Sequence, residues 1–431
     1  PEEQTIQIRD LLKKVTSILA MPHILERVMK ISGDSTSGAK ELAQAVESDT
    51  ATVSVVLKKA NSAYFGKGEP IKSVQEAIVR IGLNEIKTLV LGLSVVKNFS
   101  KEQKSNGFDR MDFWKHSLAT AILSKIFAEQ VKYNPAEEMF LAGLIHDLGK
   151  IILDEHANPP YADIVMNAIS NRSPLYNAER ETLNFTHVDV GKAIVTHWKF
   201  PDSLISAVAR HHTPEARQKE KSKPQELLQA RLVYIANLLS KALGVGSGGD
   251  MSIHELPLTS WVKTFQRVTF DSDTLTRFHK ELTEVAEFLD LGAGIAGSGL
   301  ESGEGLPEVT LIDPLMDVRL LNVTKIHLEA TGFQVQTLLK ESELQKPAAD
   351  KRTAVCVLLD SYDKIEASWK KIQEKISNDS PYVFIVPATE KRLQEKLKLP
   401  ERPEFFVDNQ TLLYEPFDVS ELHNALQIQS G

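Results

Sequence analysis

From Gln7 to about Leu291, apolar residues recur at intervals of three and four with strong helix formers between them, and then the pattern stops. A period of that kind lies along one face of a helix, so about two thirds of the chain has to be packed helices. The change comes at Gly292-Ala293-Gly294-Ile295-Ala296-Gly297-Ser298-Gly299, which runs on through Gly303 and Gly305 to Pro307. Glycine leaves the backbone unrestrained, and 292–307 reads as a linker. The stretch also matches GxGxxG, but a phosphate-cradling loop needs a strand before it and a helix after it. Here a helical pattern precedes and Glu301-Ser302-Gly303-Glu304 follows.

Beyond Pro307 the short apolar runs Val309–Ile312, Val335–Leu339, Ala354–Leu359, Tyr382–Val386 and Leu412–Tyr414 alternate with amphipathic stretches near 317–331, 362–377, 389–398 and 419–427. Strands separated by helices give a doubly wound parallel sheet. The expected fold is therefore multidomain: an all-α domain at 1–291, the linker, and a smaller doubly wound α/β domain at 308–431. Within the helical part, single helices are expected at 7–19, 111–129 and 136–154, among others.

Composition narrows the function classes. Lys plus Arg number 50 against 58 Asp plus Glu, a net charge of -8, so the overall field repels a phosphate backbone and DNA binding is not expected. No apolar run approaches the roughly 20 residues that cross a bilayer, so no membrane span is expected. The single cysteine, Cys356, can form no intrachain disulfide, which points to a reducing compartment and a cytoplasmic location.

Five histidine-bearing positions stand out among the twelve histidines. They are His116 in Phe113-Trp114-Lys115-His116-Ser117, His146 beside Asp147 in Leu144-Ile145-His146-Asp147-Leu148-Gly149-Lys150, His187 in Thr186-His187-Val188-Asp189, and the pair His211-His212. Neutral imidazoles with a carboxylate are an ordinary ligand set for iron, manganese, zinc or magnesium, and helices can gather them in a bundle core. On a continuous helix His146 and Asp147 would straddle an ion lying between them, with Lys150 one turn on, able to meet a phosphate oxygen. The other histidines read as surface or hydrogen-bonded core residues.

At these residues the chain resembles the HD superfamily of metal-dependent phosphohydrolases, and within it the HDOD family of bacterial signalling proteins. The resemblance covers roughly 10–290. Its carriers are Met21-Pro22, Glu47-Ser48-Asp49, Lys59-Ala60-Asn61-Ser62-Ala63-Tyr64-Phe65-Gly66, Ile71-Lys72-Ser73-Val74 through Ile81-Gly82, and then the histidine motifs in order. It implies a metal set of His116, His146, Asp147, His187, His211 and His212, closed by an acid in a late helix. Asn237 stands at that acid's position, in Ile235-Ala236-Asn237-Leu238, and an amide is a weaker, uncharged ligand. No Gly-Tyr-Pro follows His211-His212, so the loop of the related cyclic-dinucleotide phosphodiesterases is absent.

Residues 308–430 resemble a response-regulator receiver. Asp313 matches its metal-binding acid and Asp360 its phosphoacceptor, but Pro314 replaces a second acid. Glu415 stands where a lysine would contact phosphate, inverting the local charge, so Asp313 and Asp360 are expected to be inactive. The combined expectation is a non-catalytic signalling output module joined to a pseudo-receiver, with a protein partner, a residual divalent-metal site and room for a nucleotide ligand. The alternative is a metal-dependent phosphohydrolase acting on a nucleotide or cyclic dinucleotide, with Asp147 and Lys150 as its catalytic residues.

Overall fold

The computed structural model describes residues 11, 23–31, 37–61, 69–99, 108–157, 159–171, 173–214, 224–250, 252–253, 256, 268–289, 291, 308–313, 322–331, 333–345, 353–359, 364–373, 375, 382–386, 410–414, 417–418 and 422. The linker at 292–307, Asp360, the helix expected at 389–398, and all but one residue each of those at 7–19 and 419–427 lie outside them.

The helical part runs through α1 (His23–Lys30), α2 (Ser37–Glu47), α3 (Thr50–Ala60), α4 (Val74–Ile81), α5 (Leu83–Phe99), α6 (Arg110–Gln130) and α7 (Glu137–Ile145). It continues with α8 (Leu148–His156), α9 (Tyr161–Ser170), α10 (Leu175–Leu183), α11 (His187–His197), α12 (Asp202–Arg210), α13 (Pro224–Ala242), a two-residue strand β1 (Ser252–Ile253) and α14 (Ser272–Phe288). Short polar side chains start several of them. Asp49, Ser73, Asp109 and Asp271 accept from backbone amides of the first turn, and Thr186 forms a capping box with Asp189. Each such cap stabilises its helix by about 1 kcal/mol.

Helix α6 is buried on nearly every side, from Phe113 and Trp114 to Ile126 and Phe127, and packs against α7, α13 and α14. Its contact with α7 depends on Gly143, where an added Cβ would lie 2.6 Å from the Ala121 Cα. The single helix expected over 136–154 is instead two, α7 and α8, broken at the turn His146-Asp147. The physical reason is tertiary. His146 keeps helical dihedrals while Asp147, at φ -101° and ψ 9°, leaves them, and both side chains lie in one buried cluster with histidines from other helices.

The C-terminal part consists of β2 (Glu308–Ile312), α15 (Val323–Ala330), β3 (Val335–Leu338), β4 (Thr353–Leu358), α16 (Lys364–Ile372), β5 (Tyr382–Val386), β6 (Gln410–Tyr414) and β7 (Phe417–Asp418). Strands β2 to β6 form one all-parallel sheet in the order β3-β2-β4-β5-β6, the doubly wound order in which the second strand lies outside the first. Its two faces follow the alternation of side chains. Ile312, Val355, Val357 and Phe384 lie under Ile365 and Ile372 of α16. Val309, Leu311, Ala354, Cys356, Val383 and Ile385 join the same apolar core as the helical part.

The two parts are therefore docked as well as linked. Helix α15 packs on α13, where Nδ1 of His327 bonds the Ala242 carbonyl at 2.7 Å, and β7 pairs antiparallel with β1. Among the described residues no helix is long and apolar enough to cross a membrane.

Candidate metal centre

Three helices and two connections converge on Asp147. His116 comes from α6, His146 and Asp147 from the α7–α8 turn, Lys150 from α8, His187 from the first residue of α11, and His211 and His212 from the residues just past α12. The α8–α11 approach is close enough that a Cβ on Gly149 would lie 2.0 Å from the His187 carbonyl oxygen. His116, His146, Asp147, His187 and His211 are fully buried, and His212 is half-buried.

Asp147 Oδ1 lies 3.1 Å from His187 Nε2 and 3.2 Å from His211 Nε2, while Oδ2 lies 3.3 Å from His146 Nε2 and 3.9 Å from His116 Nε2. The ligand atoms fall into two groups sharing Asp147. One is Asp147, His187, His211 and His212, the other His116, His146 and Asp147, and within each all atoms lie within 4.8 Å of one another.

Four of the five rings are held from behind. His146 Nδ1 donates to the Gly143 carbonyl at 2.7 Å, and His211 Nδ1 to the Val208 carbonyl at 2.9 Å. His187 Nδ1 lies 2.6 Å from Glu179 Oε2, and Ser240 Oγ is 3.1 Å from His116 Nδ1. Donation from Nδ1 leaves Nε2 of His146 and His211 as bare lone pairs pointing at carboxylate oxygens. Lone pairs facing lone pairs at 3.2–3.3 Å repel unless a cation lies between them. His116 Nε2, His146 Nε2, both Asp147 oxygens and Asn237 Oδ1 are buried without an aligned hydrogen-bond partner among the described residues. Buried polar atoms are normally satisfied, and this convergent set fits a divalent cation of the borderline kind.

Electrostatics agree with a site made for positive charge. Burial alone would raise the Asp147 carboxyl, but the positive charge around it, the Lys150 ammonium included, outweighs burial and holds the group well below the usual carboxylate range. Burial opposes charge on Lys150 and His187, yet Asp147 raises the first, and Glu179 with Asp147 the second. Burial pulls His211 down to about 3, and burial with His211 and His187 nearby holds His212 well below its ordinary value.

Lys150 differs from expectation. Its ammonium is only 2% exposed, 2.7 Å from Asp147 Oδ2 and donating to the Gly248 carbonyl at 2.8 Å, so it is turned inward rather than presented to a phosphate. Asn237 lies one turn before Ser240 on α13, the helix that supports His116. Sequence reasoning missed Glu179, which bonds the His187 amide at 2.8 Å and receives the Tyr161 hydroxyl at 2.5 Å. It also missed the glycine loop at Gly248. A glutamate buried in an otherwise amphipathic helix was the only signal for the first. In the α/β part, Asp313 is buried and accepts from Asn322 Nδ2 at 2.8 Å.

Residues 18–214 match the family model described as the HDOD domain. The fold is shared with an HDOD domain protein of unknown function from Geobacter sulfurreducens, 20% identical, with a TM-score of 0.52 over 66% of this chain and 98% of that one. A proposed signal transduction protein from Marinobacter aquaeolei is 18% identical, with a TM-score of 0.51 over 67% of this chain and 65% of that one. Among curated proteins, an uncharacterised protein of Treponema pallidum is 20% identical over 48% of this chain, and ribonuclease Y of Acholeplasma laidlawii 22% over 61%. The matched regions span 40% and 37% of those two relatives.

Proposed function

We propose that this chain, which carries an HDOD domain at residues 18–214, is a signal-transduction output module whose His/Asp cage holds a divalent metal without turning over a substrate. The observation that carries the reading is closure. The cage residues other than His212 are at most 2% exposed, and Lys150, the lysine expected to meet a phosphate, is committed to Asp147 and Gly248. His116 and His146 hold one side of the cage, His187, His211 and His212 the other, with Asp147 shared between them. An ion bound there supplies Lewis acidity and offsets the Asp147 charge. Asn237 in place of a carboxylate leaves the His116 side short of negative charge, which favours occupancy of the His187 side.

The α/β part is read as a receiver-like domain that is not phosphorylated. Its strand order supports this, as do the burial of Asp313 and the glutamate at 415. A protein partner is proposed as the output, and a nucleotide as a ligand of secondary interest.

The alternative is a metal-dependent phosphohydrolase, favoured by the two-sided ligand set around a shared aspartate. Elemental analysis of the purified protein, with phosphodiesterase assays across manganese, iron, zinc and magnesium, separates the two. The proposal expects a bound metal and negligible turnover. Turnover near 1 per second or faster, lost in His146→Ala, overturns it. Asn237→Asp is expected to tighten manganese binding while leaving turnover low.

A further inference from the structure

The residues between α13 and β1 cover the cage. Gly248 is buried, accepts from Lys150 Nζ, and sits so close that an added Cβ would lie 3.0 Å from that nitrogen and 3.2 Å from Asp147 Oδ2. The loop is shaped for the place. Gly246 adopts a φ of +63°, and a Cβ there would strike the Asp112 carbonyl at 2.2 Å, so only glycine lets this backbone press against the start of α6. The Ser247 amide bonds that same Asp112 carbonyl at 3.0 Å, and Asp250 closes the loop by pairing with Lys241 and accepting from the Leu175 amide at 3.1 Å.

Besides these contacts within the helical part, the other part of the molecule touches the chain on either side of the loop. Immediately before it, the Ala242 carbonyl is bonded by His327 of α15, and α15 packs along α13. Immediately after it, Ser252 and Ile253 pair with Asp418 and Phe417 of β7. Ile253, fully buried, belongs to the core shared by the two parts.

We propose that residues 244–250 are a lid over the His/Asp cage and that the α/β part is the clamp holding it shut, gripping the chain at Ala242 and at Ser252-Ile253. Undocking the α/β part removes one restraint on each side of the lid at once and leaves it to the Asp112, Lys241 and Leu175 contacts alone. Access of small ligands to the cage is then set by the state of that part. A short segment fixed at both ends has few open conformations, and releasing the ends restores them. The idea rests on the metal-cage reading only where a metal serves as probe.

The test uses the full chain in two opposed forms. His327→Ala removes a docking contact. Ser252→Cys/Asp418→Cys places two thiols directly across the β1–β7 pair, at a spacing suited to a disulfide, while Cys356 is buried and out of reach. Two rates are read: amide hydrogen exchange at Ser247 and Gly249 in the metal-free protein, and removal of bound zinc by a chelator. Expected is an increase of about tenfold or more in both rates for His327→Ala, and a decrease for the oxidised double variant that reduction reverses. Lid amides exchanging at the parent rate in both forms would overturn the clamp. If no form takes up zinc, the metal reading falls, and the exchange rates alone uphold or overturn the lid.

Discussion

Glu179 shows how much of the cage rests on a residue that never faces its centre. One carboxylate oxygen takes both the backbone and the ring N–H of His187, and the other takes the Tyr161 hydroxyl, all out of reach of solvent. Carboxylates behind metal-binding histidines fix the tautomer and raise basicity. Glu179→Gln is therefore expected to weaken manganese binding by about 10- to 100-fold, measured by calorimetric titration. Glu85 is a second charged residue with a definite energetic role. Burial opposes its ionisation, but Lys59 and Lys125, each 2.8 Å away, hold its carboxyl at about 2 against an ordinary 4.5. A depressed carboxyl contributes stability that is complete above the ordinary value and vanishes as pH falls through the folded one. Glu85→Gln is expected to cost on the order of 2 kcal/mol near neutral pH. That gap should narrow as pH falls from 4.5 toward 2, read by urea denaturation at a series of pH values.

At the scale of elements, the site depends on how closely helices approach. Helices α8 and α11 touch backbone to backbone at Gly149, and this contact places His187 opposite Asp147. Gly149→Ala puts a methyl group 2.0 Å from the His187 carbonyl oxygen, and backbone has no rotamer with which to yield. The helices must separate. A loss of about 1–3 kcal/mol is expected by chemical denaturation, together with weaker metal binding, since moving α11 moves a ligand. Helix positions along the chain were legible from period and caps. The strand at Tyr382–Val386 and the helix at Arg110–Gln130 lie where the pattern places them, within a residue at each end. The break at His146-Asp147 was not legible, because neither residue is a helix breaker and the turn serves a pocket built by other helices.

For the molecule as a whole, the described residues of the helical and α/β parts are docked against one another. One face of the sheet is continuous with the helical core, and α15 lies along α13. Burying a common apolar surface couples the stability of both parts. A single calorimetric unfolding transition is expected for the full chain, and two well-separated transitions would show that the parts stand alone. By itself the sequence determined the two architectures and the candidate ligands, because hydrophobic period and residue chemistry are local properties written along the chain. The tertiary structure alone decided that Asp147 is shared between two groups of histidines, that Lys150 turns inward, that Glu179 backs His187, and that a glycine loop closes the pocket. Those are distances between segments up to about a hundred residues apart, and they exist only once the helices have packed.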